Sequence, residues 1–135
     1  MAFVGRSERL TLIRADCLAA LVNAMRAHAH DPPVIERCSF ALSTIAAGEL
    51  ECKRACVLAD VPEVVIGAML TYYRRGNMQN KGLVVLASIT AGDADCRLRV
   101  VEAGGVGAVC AAMEEHGSHA EVQHNGSGCL HNLIR

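Results

Sequence analysis

Three cysteines and four histidines are the residues whose types and spacing could support chemistry. Cys52 and Cys56 stand four apart, and Cys96 occupies the place of Cys52 in a shifted copy of the chain. Three thiolates could hold zinc, yet zinc sites favour a CxxC spacing. A spacing of four is also that of a buried helical stripe, which favours apolar cysteine. His116 and His119 fall in a polar stretch, while His124 and His131 are seven apart and could share one helix face. No HExxH accompanies them and no carboxylate is placed to orient an imidazole. Solvated or groove-lining histidine is therefore expected, and His124 and His131 could make ligand binding depend on pH.

Other nucleophile and phosphate motifs are weaker. Ser, His and Asp occur without a GxSxG elbow. Gly104-Gly105-Val106-Gly107 looks like part of a phosphate loop, but it follows a helical pattern and no GK[ST] is present. Tyr72-Tyr73-Arg74-Arg75 joins aromatic and basic residues, the types that interaction hot spots use. The plainer expectation is that both tyrosines cover helix ends and both arginines stay solvated. These residues predict a non-enzymatic protein with no cofactor and no metal.

Composition narrows the class. The 135 residues are 52% hydrophobic, with two Phe, two Tyr and no Trp. Ala, Val, Leu, Ile, Met and Cys suit close helix packing better than a strand-rich sandwich. A net charge of −1 with no basic stretch is not the footprint of a nucleic-acid binder. No apolar run approaches the roughly 20 residues that span a bilayer, so no membrane is expected. The seven cysteines are odd in number and mostly inside apolar helical patterns, as in a cytosolic or nuclear protein with reduced thiols.

The elements that must position these residues come from an internal repeat. Shifted by 44 residues, the chain aligns with itself twice without a gap: Ala15, Ala59 and Ala103 coincide, as do Met25, Met69 and Met113, and Leu42, Leu86 and Leu130. Arg9, Lys53 and Arg97 form a basic triplet. The units run over about 8–51, 52–95 and 96–135. Each predicts a short first helix, near Glu8–Arg14 in unit one, that breaks at Ala15-Asp16, Ala59-Asp60 or Ala103-Gly104-Gly105. Asp60 before Val61-Pro62 reads as an N-cap with Pro in the first turn. A second helix carries the stripe Leu18, Leu21, Val22 and Met25. The third and longest helix buries Val34, Cys38, Ala41, Leu42 and Ile45 and their equivalents. It stops at Gly48 and Gly92, read as C′ residues. Single units cannot bury such stripes, whereas stacked units can. The chain ends one residue before the match to Gly48 and Gly92, as expected of a segment of a longer array or of one completed by self-association.

Two stretches resemble the armadillo repeat family. Glu102-Ala-Gly-Gly-Val-Gly-Ala-Val-Cys is similar to the start of that family's second helix. Glu121-Val-Gln-His-Asn-Gly-Ser-Gly-Cys-Leu-His-Asn-Leu-Ile is similar to its third helix. Weaker copies begin at Met78 and Val34. The resemblance implies an all-α, right-handed solenoid of three three-helix repeats. It implies a groove lined by third helices that holds an extended peptide or partner protein, with a repeated Asn bonding the peptide backbone and a Trp one turn earlier. The Asn position is Asn132, with Thr44 and Ser88 in the other units; the Trp position is Gly128, with Phe40 and Val84. Capture of nuclear-localisation peptides is not expected, because the Trp ladder is missing. One turn before these lie Arg37, Lys81 and Asn125, which makes the expected groove mildly basic in units one and two. Gly126 serves either helix packing or close backbone approach, and Gly128 is expected to face the groove. The alternative role is structural, through packing with further repeats or self-association into a homo-oligomer by exposed terminal repeats.

Overall fold

The structure is a computed structural model that describes the backbone of residues 2–135 and the side chains of residues 15–135. Eight helices and no strand occur among the described residues: α1 (Ala2–Ala27), α2 (Pro32–Ala46), α3 (Leu50–Leu58), α4 (Val61–Thr71), α5 (Gly76–Thr90), α6 (Ala94–Glu102), α7 (Gly105–Glu115) and α8 (Ala120–Ile134). The expected all-α architecture is present, and its third helices repeat to the residue. Helices α2, α5 and α8 begin at Pro32, Gly76 and Ala120 and end at Ala46, Thr90 and Ile134, each 44 residues after its predecessor. They pack side by side in one row. A second row is formed by α1, α4 and α7, and α3 and α6 bridge the two rows.

Unit one departs from the expected plan. No break occurs at Ala15-Asp16, and α1 runs unbroken over 26 residues. The breaks at the equivalent positions have a local cause. Asp60 adopts φ 65° and Gly104 φ 92°, both left-handed, and Pro62 or Gly105 follows. Asp16 is followed by Cys17 and Leu18, neither of which obstructs a continuing helix. The Arg9 side chain lies outside the described residues.

Three repeated devices fasten the helix ends. Gln79 donates from Nε2 to the carbonyls of Met69 at 2.9 Å and Tyr72 at 3.0 Å. Gln123 does the same to Met113 at 2.9 Å and His116 at 3.0 Å. Each amide thereby satisfies carbonyls that the end of α4 or α7 leaves without a helical partner. The basic positions act on the third helices. Lys53 Nζ donates to Ala46 O at 2.7 Å and Gly48 O at 3.0 Å, and Arg97 reaches Gly92 O at 3.3 Å. A cation there also opposes the negative end of the helix dipole. The third device joins units: the Tyr72 hydroxyl donates to the Ala29 carbonyl, and His116 Nε2 donates to that of Tyr73 at 2.7 Å.

Two sequence expectations change in meaning. Gly48 and Gly92 do follow the ends of α2 and α5, yet neither has positive φ. Space explains them instead: a Cβ would stand 3.0 Å from Cys52 Sγ at Gly48 and 3.2 Å from Cys96 Sγ at Gly92. Asp60 holds the N-cap position of α4 but makes no capping bond. Its carboxylate accepts from Arg26 and Arg99, each at 3.3 Å, and so links the three units.

The core runs through all three units. Leu18, Val22, Met25, Cys38 and Leu42 are buried as their stripes predict, while Leu21, Val34, Ala41 and Ile45 are half-buried. In unit two Leu83, Val85, Leu86 and Ile89 are fully enclosed. Truncating such a side chain to Ala typically costs about 2–5 kcal/mol.

Candidate functional site

The row of α2, α5 and α8 places every residue expected to line a groove. Arg37, Phe40, Thr44 and Gly128 are exposed or partly so; Lys81, Val84, Ser88, Asn125 and Asn132 are half-buried. Arg37, Phe40 and Lys81 border one hollow and Asn125, Gly128 and Asn132 a second, whereas Val84 and Ser88 line neither. The first, of about 420 Å³, lies between α2 and α5 and is lined by Pro33, Glu36, Arg37, Phe40, Asn77 and Lys81. The second, of about 490 Å³, lies between α5 and α8 and takes in His124, Asn125, Gly128, His131 and Asn132. Thr44 instead borders an apolar hollow between α1 and α2, shared with Phe40.

Phe40 dominates the first hollow. It is 57% exposed, a large aromatic surface left in water. The Lys81 ammonium from α5 sits 4.6 Å from its ring centroid, a cation–π geometry. Neither Arg37 nor Lys81 has a carboxylate within ion-pair distance among the described residues. Other arginines are engaged: Arg26 with Asp60, Arg54 with Asp93, Arg75 with Glu36, Arg99 with Asp60 and Glu63. Glu36 also lines the hollow, but Arg75 holds both its oxygens at 3.2 Å. That pair raises the Arg75 pKa and cancels the carboxylate's charge.

The second hollow is neutral and amide-rich. Asn132 Nδ2 donates across to α5, to Ala87 O at 3.0 Å and Thr90 Oγ1 at 3.2 Å. Its amide nitrogen is thus used within the fold, and its Oδ1 makes no hydrogen bond among the described residues. Asn125 donates to Asn80 Oδ1 at 2.6 Å, and Asn80 donates to Glu121 at 2.7 Å. A Cβ at Gly128 would meet nothing within 4 Å, whereas a Cβ at Gly126 would lie 2.6 Å from Cγ and Sδ of Met113. Gly126 therefore serves packing, and Gly128 opens onto the hollow.

The candidate metal and hot-spot residues resolve differently. Cys52, Cys56 and Cys96 are buried, and no group of three or more His, Cys, Asp or Glu that could hold a metal occurs among the described residues. Burial, reinforced by Cys52, pushes the Cys56 thiol up to about 12. Tyr72 closes a helix end as expected. Arg75 stays exposed as expected, and it also pairs with Glu36. Arg74 folds back on Tyr73, with its guanidinium 5.5 Å from the ring centroid. The histidines also separate: His119 Nδ1 accepts from Val122 N at 3.3 Å, while His124 and His131 stay exposed on α8. Sequence reasoning missed Pro33, Asn77 and the Glu36–Arg75 pair. The 44-residue register places Asn77 with Pro33 and Glu121 as one repeated position, and that alignment is the signal that points to it.

No family model matches the chain, and no curated protein matches it. Solved crystal structures share its fold, among them three engineered proteins of the Northeast Structural Genomics Consortium. The first is 23% identical with a TM-score of 0.75, over 85% of this chain and 44% of its own. The second is 23% identical with a TM-score of 0.76, over 86% of this chain and 27% of its own. The third is 21% identical with a TM-score of 0.74, over 85% of this chain and 45% of its own. The chain spans less than half the length of each, and similarity at this level concerns the fold alone. No described helix is long and apolar enough to cross a membrane.

Proposed function

We propose that this chain is an armadillo-type, right-handed solenoid that works as a non-enzymatic protein-interaction scaffold, taking an extended peptide or partner segment along α2, α5 and α8. The observation that carries the reading is the row of third helices with two adjoining hollows, one of them floored by the exposed ring of Phe40. An aromatic surface beside amides and cations that no carboxylate pairs is the kind of place where protein partners anchor. Asn132 contributes its Oδ1 as an acceptor for a peptide N–H, since its Nδ2 is committed to α5.

Selection of peptides from a random display library, followed by backbone amide chemical-shift mapping of a selected peptide, tests it. Shifts concentrated on α2, α5 and α8 and lost in Phe40→Ala are expected. Peptides that perturb only α1, α4 and α7 would refute it.

A specific observation favours a second role, packing against another repeat. Ile134 is 81% exposed, whereas its equivalents Thr90 and Ala46 are fully buried by the following unit. Val106 is 43% exposed, while the equivalent Leu18 is 1% exposed. A further 44-residue unit, in the same chain or a second copy, would cover both. Sedimentation velocity over a wide concentration range separates the roles: mass rising with concentration supports self-association, and a constant monomer mass opposes it.

A further inference from the structure

The hollow between α2 and α5 carries an unbalanced local charge on a protein that is close to neutral. Arg37 and Lys81 both border it, and no carboxylate pairs with either among the described residues. The acidic lining residue, Glu36, is 8% exposed and is neutralised by Arg75. Asn77 adds a neutral amide. The net charge of the whole chain is −1, so attraction of an anion here is local and acts over roughly the 10 Å that salt leaves unscreened.

We infer that this hollow selects an acidic peptide, with Asp or Glu side chains placed on Arg37 and Lys81 and an apolar side chain laid on Phe40. The inference rests on the groove reading above and adds the chemistry of the ligand. Three features support it. Arg37 is exposed, so a carboxylate reaches its guanidinium without displacing an internal partner. The Lys81 ammonium is already held over the Phe40 ring, which fixes the cation and the apolar surface as one unit and lowers the ordering cost of binding. Along an extended peptide residues two apart face the same side, so an acid and an apolar residue at i and i+2 reach the cations and Phe40 together. The neutral hollow of unit three then receives backbone and small polar groups beside Gly128, where nothing lies within 4 Å of a Cβ position.

Fluorescence anisotropy with four labelled peptides of equal length tests the inference on the full chain. One carries Glu or Asp and Leu at positions two apart with Ala between them; its counterparts replace the acids by Gln and Asn, by Lys, or by Ser with a single phosphoserine. The acidic peptide is expected to bind on the order of tenfold tighter than the amide peptide, the yield of two exposed ion pairs, and to weaken as salt rises. The Arg37→Glu, Lys81→Glu variant is expected to lose that preference. Arg74→Glu, which places a charge reversal at the linker instead, is expected to keep it. Equal binding of acidic and amide peptides, tighter binding of the Lys peptide, or retention of the preference in the double variant would overturn the inference. Binding of the phosphoserine peptide alone would also overturn it, because phosphate and not carboxylate would be the ligand. Circular dichroism confirms that the variants fold. Shift mapping keeps the two readings apart: non-acidic peptides seated on α2, α5 and α8 sink the acidic preference but leave the groove, whereas peptides seated elsewhere, or none bound, sink both.

Discussion

Replacing Gly82 and Gly128 by Ala, one at a time, should move stability in opposite directions. Both residues lie inside helices of the same row, α5 and α8, and both forfeit roughly 1 kcal/mol of helix propensity relative to Ala. Around Gly128 a Cβ meets nothing within 4 Å, so that propensity is recovered and the protein gains about 0.5–1 kcal/mol. Around Gly82 a Cβ would stand 2.6 Å from both Cγ and Sδ of Met69 and 3.4 Å from Val65 Cγ1. Met69 is 1% exposed, so its side chain has no free space to swing into, and Cγ lies too near the backbone to yield alone. Forcing a methyl into a packed site costs about 1–3 kcal/mol, which cancels or outweighs the propensity gain and leaves a net loss of up to about 2 kcal/mol. Gly126→Ala falls between the two, because its partner Met113 is half-buried and can shift outward. Urea unfolding followed by circular dichroism, with the slope of the transition checked for constancy, measures all three. Stabilisation by Gly82→Ala equal to that by Gly128→Ala would refute the packing argument, and with it the reason given for glycine at position 82 and at its 44-residue equivalent Gly126.

Acid sensitivity and thiol reactivity supply two more tests. Asp93 accepts from Cys96 N at 2.9 Å and meets Arg54, contacts that hold its carboxyl down at about 2. A folded value below the unfolded value of about 3.9 contributes stability that is complete above the unfolded value and is lost as pH falls through the folded one. Asp93→Asn keeps a capping oxygen but not the charge. Its stability deficit relative to wild type should shrink as pH falls from about 5 toward 2, and a constant deficit across that range would contradict the assignment. Alkylation by iodoacetamide should label the exposed Cys17 first and Cys110 next. Cys56 and Cys129, pushed up by burial to about 12 and about 11, should react only after denaturant is added. Cys56 labelled as fast as Cys17, with mass spectrometry assigning the sites, would contradict the buried core.

The sequence by itself determined the repeat and the helices. The 44-residue register is written in single-residue matches such as Met25, Met69 and Met113, and helix ends follow local signals such as Pro32 and Gly104, so both were legible without tertiary information. The unbroken α1 was not, because the register projected onto Asp16 a break that only the left-handed residues at Asp60 and Gly104 produce. Hydrogen-bond partners across units were likewise undecided until the helices were stacked. Asn132 could face a ligand or its neighbour, and only the seating of α8 against α5 sends its Nδ2 to Ala87. The same holds for charge. In sequence Arg37, Lys81 and Arg75 are equivalent cations, but packing brings Glu36 to Arg75 and Phe40 to Lys81 and leaves Arg37 and Lys81 without a carboxylate. A local pattern fixes which face a side chain takes on its own helix. Which partner it then meets depends on residues about 40 positions away, which only the stacked fold brings within reach.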